Sequence, residues 1–188
     1  MNRRKALKNL GILSGGIVLL SSCDFSKEKI SLVLNKLNIT SSQENLMKEL
    51  VATIIPDGEI SGAEKLMVHD FVWIMVDDCL EAVEQESYLK GLTNFDTDIK
   101  KLSGKTFISL IEEDRVNTLV RIEASKEKAS ENINEDLFKF VEITKYLAIL
   151  GYMQSEYIMT DIMPYSLVPS TYGACESIDN SKRINVNA

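Results

Sequence analysis

Histidine is almost absent from this chain: His69 is the only one among 188 residues. Zinc sites draw on several His, Cys or carboxylate ligands at set spacings, and beside His69 only Asp70 is at hand. Glycine is too scattered to cradle a phosphate. Its one adjacent pair is Gly15-Gly16, and neither Gly-x-Gly-x-x-Gly nor a P-loop occurs. No Cys-x-x-Cys-His marks an attached haem, and no nucleophile stands with a base and an orienting partner in any recognisable pattern. A membrane-spanning stretch is missing too, because the one sustained apolar run, Leu10 to Leu20, is about 11 residues long. A helix needs roughly 20 residues to cross a hydrocarbon core.

What is present begins with that run. Met1 to Asn9 carries Arg3, Arg4, Lys5 and Lys8 and no acid, followed by the apolar stretch, which is the layout of a secretory signal. Asn2-Arg3-Arg4-Lys5-Ala6-Leu7-Lys8 resembles the twin-arginine export signature, with Asn and Ala where Ser and Phe are usual. An ordinary Sec signal with two arginines fits the same residues. Leu20-Ser21-Ser22-Cys23 resembles a lipobox, so Cys23 is expected to receive lipid after removal of residues 1–22. Acyl chains contribute about 0.8 kcal/mol per buried CH₂ and would hold the chain at a membrane without a spanning helix. The expected location is therefore the periplasmic side of a membrane.

Basic residues are scarce once the leader is gone. Of 21 Lys+Arg and 28 Asp+Glu, the leader takes four bases and no acid, leaving 17 against 28 and a net charge of −11. Nucleic acid, whose phosphates demand Lys and Arg, is excluded as a partner on that balance. Residues 23–42 are polar with scattered aliphatics and are expected to form a tether. The remaining stretch, 43–188, is long enough for one domain with one core.

Periodicity along that domain is helical. Leu46, Leu50, Val51, Ile54 and Ile55 share a face of a first helix capped by Ser41 or Ser42 and stopped by Pro56-Asp57-Gly58. A second helix is expected from Gly62 or Ala63 to Val83. Leu66, Met67, Phe71, Ile74, Met75 and Cys79 fall at spacings of three and four there, widened by Val68, Val72, Trp73 and Val76 into what should be the central, most buried helix. Others are expected at about 84–101, 109–124 and 135–155, the last apolar on more than one face. From about 157 the pattern decays through Pro164, Pro169 and Gly173. The expected fold is all-α: a single compact helical bundle with an irregular C-terminal arm.

Three features invite chemistry and each has a plain alternative. Asp77, Asp78, Glu81 and Glu84 form an acidic patch suited to a cation, or to a solvated helix face, which is the preferred reading. Glu112, Glu113 and Asp114 suit the first turn of a helix, where the dipole favours acids. His69 is expected at a core boundary, bonded to a backbone group. The sequence thus offers no catalytic, metal or cofactor residues. With Cys23 assigned to lipid, Cys79 and Cys175 remain as an even pair bound for an oxidising compartment, a disulfide that would pin the arm to the second helix. Cys79 also fits a small core residue.

Several short pieces occur in one order: Ile54-Ile55-Pro56-Asp57, Ser61-Gly62-Ala63, Phe71-x-x-x-Met75-x-x-Asp78-Cys79, Gly151-Tyr152-x-x-Ser155-Glu156 and Tyr165-x-x-x-Pro169-x-x-Tyr172-x-x-Cys175. This series resembles the gluconate 2-dehydrogenase subunit 3 family over about 46–175. The resemblance implies a non-catalytic accessory subunit. Its partners would be a large flavin-dependent (FAD) subunit of the glucose-methanol-choline type and a cytochrome c subunit carrying haem c. Gly151, Tyr152, Ser155, Glu156, Tyr165 and Tyr172 are the expected docking residues. Departures lie in the arm, where Pro169-Ser170 replaces the family's Pro-Gly and Tyr157-Ile158-Met159 follows the Ser-Glu pair. A helical lipoprotein acting as an independent binding module is the other reading of the same residues.

Overall fold

The computed structural model describes residues 32–125 and 134–163, which belong to one folded unit. They form α1 (Ser41–Ile54), α2 (Val68–Asp78), α3 (Ala82–Ser103), a 3-10 turn (Phe107–Ser109), α4 (Glu112–Ala124), α5 (Glu135–Met153) and a π turn (Ile158–Ile162). The fold is all-α, with no strand among the described residues. None of the described helices is long and apolar enough to cross a membrane.

α5 is the hub. It packs most extensively on α3 and also meets α2, α4 and α1. The central place expected for the second helix therefore belongs to the last one, because α5 carries apolar residues on enough of its circumference to face four neighbours. Leu137, Phe140, Val141, Thr144, Leu147, Ala148, Gly151 and Tyr152 are all buried along it. At the α3–α5 crossing Phe140 stacks at 4.9 Å from Tyr88 and 5.2 Å from Phe95, whose ring lies 5.3 Å from Phe107. Gly91 makes the crossing possible: a Cβ there would strike the Asp136 carbonyl oxygen and lie 2.6 Å from Phe140 Cβ. The hydroxyls of Tyr88 and Thr144 meet at 2.9 Å in this core, where burial pushes the phenol's pKa upward.

α2 is shorter at both ends than its periodicity suggests. Asp57 accepts the Gly62 N–H at 2.6 Å, and the Ala63 N–H returns to the Ile55 carbonyl at 3.0 Å, so the chain turns where the helix was expected to begin. Met67 then takes a left-handed conformation (φ 52°), unusual for a non-glycine residue, and α2 starts after it. At the other end, Gln85 Nε2 donates to the Val76 and Asp77 carbonyls at 2.8 and 3.3 Å. Capping by this side chain lets α3 start at Ala82. α1 is capped by Thr40 rather than by Ser41 or Ser42. The Gln43 N–H donates to Thr40 Oγ1 (3.2 Å) and the Thr40 N–H to Gln43 Oε1 (2.9 Å). Glu112, Glu113 and Asp114 occupy the first turn of α4 as expected.

The 3-10 turn before α4 is tied down by one side chain. Arg115 donates through Nε to the Phe107 and Leu110 carbonyls (both 3.1 Å) and through its terminal nitrogens to Ile108 O (2.7 Å) and Glu49 (2.6 Å). Its guanidinium also lies 5.4 Å from the Phe107 ring centre.

The expected tether is part of the fold over its second half. Leu37 and Ile39 are buried in the core, and Leu32 and Leu34 pack against it. Asp77 explains how: the backbone N–H groups of Asn35 (2.6 Å), Lys36 (2.9 Å) and Leu37 (2.8 Å) all donate to its carboxylate, which is 1 % exposed. The preferred reading of a solvated acidic face is thus wrong for Asp77, while Asp78, Glu81 and Glu84 are exposed as expected. Burial raises the Asp77 pKa, but the three N–H donors and Lys36 outweigh it and hold the group below the usual carboxylate value. Stability from this carboxylate is present above the ordinary Asp value of about 3.9 and is lost as pH falls through its lowered folded value. Asp77→Asn should therefore flatten the acid limb of a stability–pH curve measured by urea unfolding. An unchanged limb would show that the carboxylate is not what holds residues 35–37.

Candidate docking surface

The docking residues expected at the end of the last helix mostly face inward. Gly151 is buried because the Phe71 ring of α2 lies against its Cα, and a Cβ would sit 2.9 Å from Phe71 Cγ. Tyr152 is 8 % exposed and its hydroxyl donates to the Ser61 carbonyl at 2.9 Å, fastening α5 to the turn after α1. Ser155 is half-buried, with its hydroxyl donating to the Tyr152 carbonyl at 2.7 Å. Only Glu156 of these four is fully at the surface. Tyr165 and Tyr172 lie outside the described residues, as do Arg3, Arg4 and Cys23. The arm was expected to be irregular from about 157, but its first residues form the π turn.

The cysteine expectations fare differently. Cys79 carries an exposed thiol at the C-cap of α2, 3.8 Å from Met75 Sδ, so it is not a core residue, while the expected Cys79–Cys175 bridge turns on its second cysteine. Cys175 lies outside the described residues. His69 is buried as a boundary residue would be, yet it makes no bond to a backbone group among the described residues. Its Nε2 lies 3.5 Å from Asp70 Oδ1, and its Nδ1 and the Trp73 Nε1 have no partner among the described residues. No described group of three or more His, Cys, Asp or Glu is placed to hold a metal ion.

A row of exposed apolar residues lies elsewhere, on the outer faces of α4 and α5. Val116 and Val120 are one turn apart on α4; Tyr146, Ile149 and Met153 follow at i, i+3 and i+7 on α5. Tyr146 is 65 % and Val120 57 % exposed. Two depressions run between them. One, of about 140 Å³, is lined by Thr53, Ile54, Val116, Leu119, Val120 and Val141; the other, of about 370 Å³, by Phe138, Glu142, Tyr146 and Ile149. Glu123 and Lys145 line both and are paired at 2.6 Å, so an ion pair divides a groove whose remaining lining is apolar apart from Thr53 and Glu142. Apolar rows of this kind mark contact surfaces more often than isolated exposed side chains do. The sequence signal was visible as the second apolar face of 135–155.

No curated protein and no solved structure matches the chain significantly. The family model for gluconate 2-dehydrogenase subunit 3 matches residues 41–169, from the first residue of α1 to beyond the π turn, and the chain belongs to that family.

Proposed function

We propose that this chain is the non-catalytic, lipid-anchored subunit of a flavin-dependent sugar or sugar-acid dehydrogenase, carrying the catalytic subunit through export and holding it at the membrane. The observation behind this reading is the family match across the whole described bundle, which makes the chain a subunit of a dehydrogenase complex. The flavin belongs to the partner, and a cytochrome c subunit takes the electrons onward. Arg3 and Arg4 would direct the pair to a route that accepts folded cargo, since a flavoprotein acquires its cofactor before crossing. Cys23 would then hold the pair by its lipid.

The partner is assigned to the groove between α4 and α5. An obligate subunit keeps a larger apolar contact surface than an independent monomer needs, and Tyr146 is the kind of aromatic anchor that carries interface energy. Purification of the tagged chain from detergent-solubilised membranes should bring down a flavoprotein with dehydrogenase activity. Tyr146→Asp with Ile149→Asp should cut that recovery by roughly thirtyfold or more, as expected for losing about 2 kcal/mol at an interface centre, while leaving the helical circular dichroism intact. Recovery of no flavoprotein with the native chain would overturn the reading. Light scattering that shows a dimer, broken by the same two changes, would make the groove a self-interface. Cys23→Ser should release the chain from membranes, and Arg3→Lys with Arg4→Lys should leave both subunits in the cytoplasm. A partner exported normally in the arginine variant would remove the export role.

A further inference from the structure

We propose that residues 32–40 are a latch, closed by Asp77, that shortens the stand-off between the lipid and the bundle. The inference rests on the reading of Cys23 as the anchor. The segment has the pattern of an extended chain lying on a core. Leu32 and Leu34 face the bundle with Val33 94 % exposed between them, and Leu37 and Ile39 face it with Asn38 exposed between them. A bend at Asn35–Lys36 separates the two alternating pieces, and the Asp77 carboxylate sits there, taking three successive N–H groups. Asn35 Nδ2 also donates to Asp78 Oδ1 at 3.2 Å.

A carboxylate in this place is costly unless it is used. It lies in the last turn of α2, where the dipole disfavours an anion, and it is stripped of water. Its three backbone donors offset both penalties, and they come from a segment that makes no hydrogen-bonded ladder of its own. Removing the carboxylate would leave those N–H groups to water, and the segment would peel back to the Thr40 cap. With the latch closed, the chain between lipid and bundle is residues 24–31, which span at most roughly 30 Å; opening it adds residues 32–40 and up to roughly 30 Å more. For a subunit that presents a partner to a membrane, this length sets which membrane-borne groups the partner reaches.

Lys36 lies within the latch, so trypsin reports its state. On the full-length lipoprotein in detergent micelles, cleavage that yields an N-terminus at Leu37, followed by mass spectrometry, should be at least about tenfold slower for the native chain than for Asp77→Asn. Equal rates in two folded proteins overturn the latch. If Asp77→Asn does not fold, hydrogen exchange in the native chain decides. The amides of Asn35, Lys36 and Leu37 should exchange at least about a hundredfold more slowly than in an unstructured peptide, and unslowed exchange overturns the proposal. Partitioning into the detergent phase, with Cys23→Ser as control, reads the anchor separately. A chain that stays in the aqueous phase with Lys36 still protected would refute the anchor, and with it the stand-off, while the docking of 35–37 on Asp77 stands.

Discussion

Phe140→Ala should cost about 3–5 kcal/mol of folding free energy, a fall in melting temperature on the order of 10 °C for a domain of this size. Phe140 is fully buried and its ring touches both Tyr88 and Phe95. The void left by its removal cannot close easily. The crossing of α3 and α5 is held by the contact of Gly91 with Asp136 and by the Ser87 hydroxyl, which donates to Asp136 Oδ1 at 2.6 Å. Calorimetry on the purified domain provides the measurement. A loss below about 1 kcal/mol would mean that the rings repack freely and that the crossing is not fixed as described.

Gly91→Val tests the same crossing from the opposite side and should destabilise by about 3 kcal/mol or more, at the upper end of overpacking effects. The obstacle is backbone: the new Cβ meets the Asp136 carbonyl oxygen, and moving that oxygen means moving the first turn of α5. Gly58→Ala is the control. A Cβ there meets nothing within 4 Å, so the change should stay within about 0.5 kcal/mol. Denaturant midpoints for the two variants should differ clearly, and similar midpoints would place α3 and α5 further apart than this structure does.

Periodicity disclosed most of the bundle, because α1, α3, α4 and α5 owe their positions to apolar residues at helical spacing and to local stop signals such as Pro56 and Gly104. What periodicity hides is any bond made across the sequence. The Asp57–Gly62 contact and the left-handed Met67 delay α2, although Leu66 and Met67 continue its stripe. Asp77 looks like one acid among four until residues 35–37, about 40 positions earlier, supply its donors. The leucines and isoleucine of 32–39 do alternate, but so short a run beside polar residues looks like a linker. Tyr152 and Gly151 were legible as special residues and assigned to a partner, whereas the structure uses them on Ser61 and Phe71 of the same chain. The groove between α4 and α5 was half visible, as surplus apolar residues on the last long helix.

The central position of α5 also bears on the order in which the protein is made. The ribosome delivers α1 to α4 before α5, yet Tyr88, Phe95 and Phe71 find much of their cover on α5, against Phe140 and Gly151. A nascent chain that has not passed Met153 is therefore a set of amphipathic helices with an open aromatic seam, the kind of intermediate that chaperones hold and proteases clear. Burial of that seam is complete only once α5 has been made.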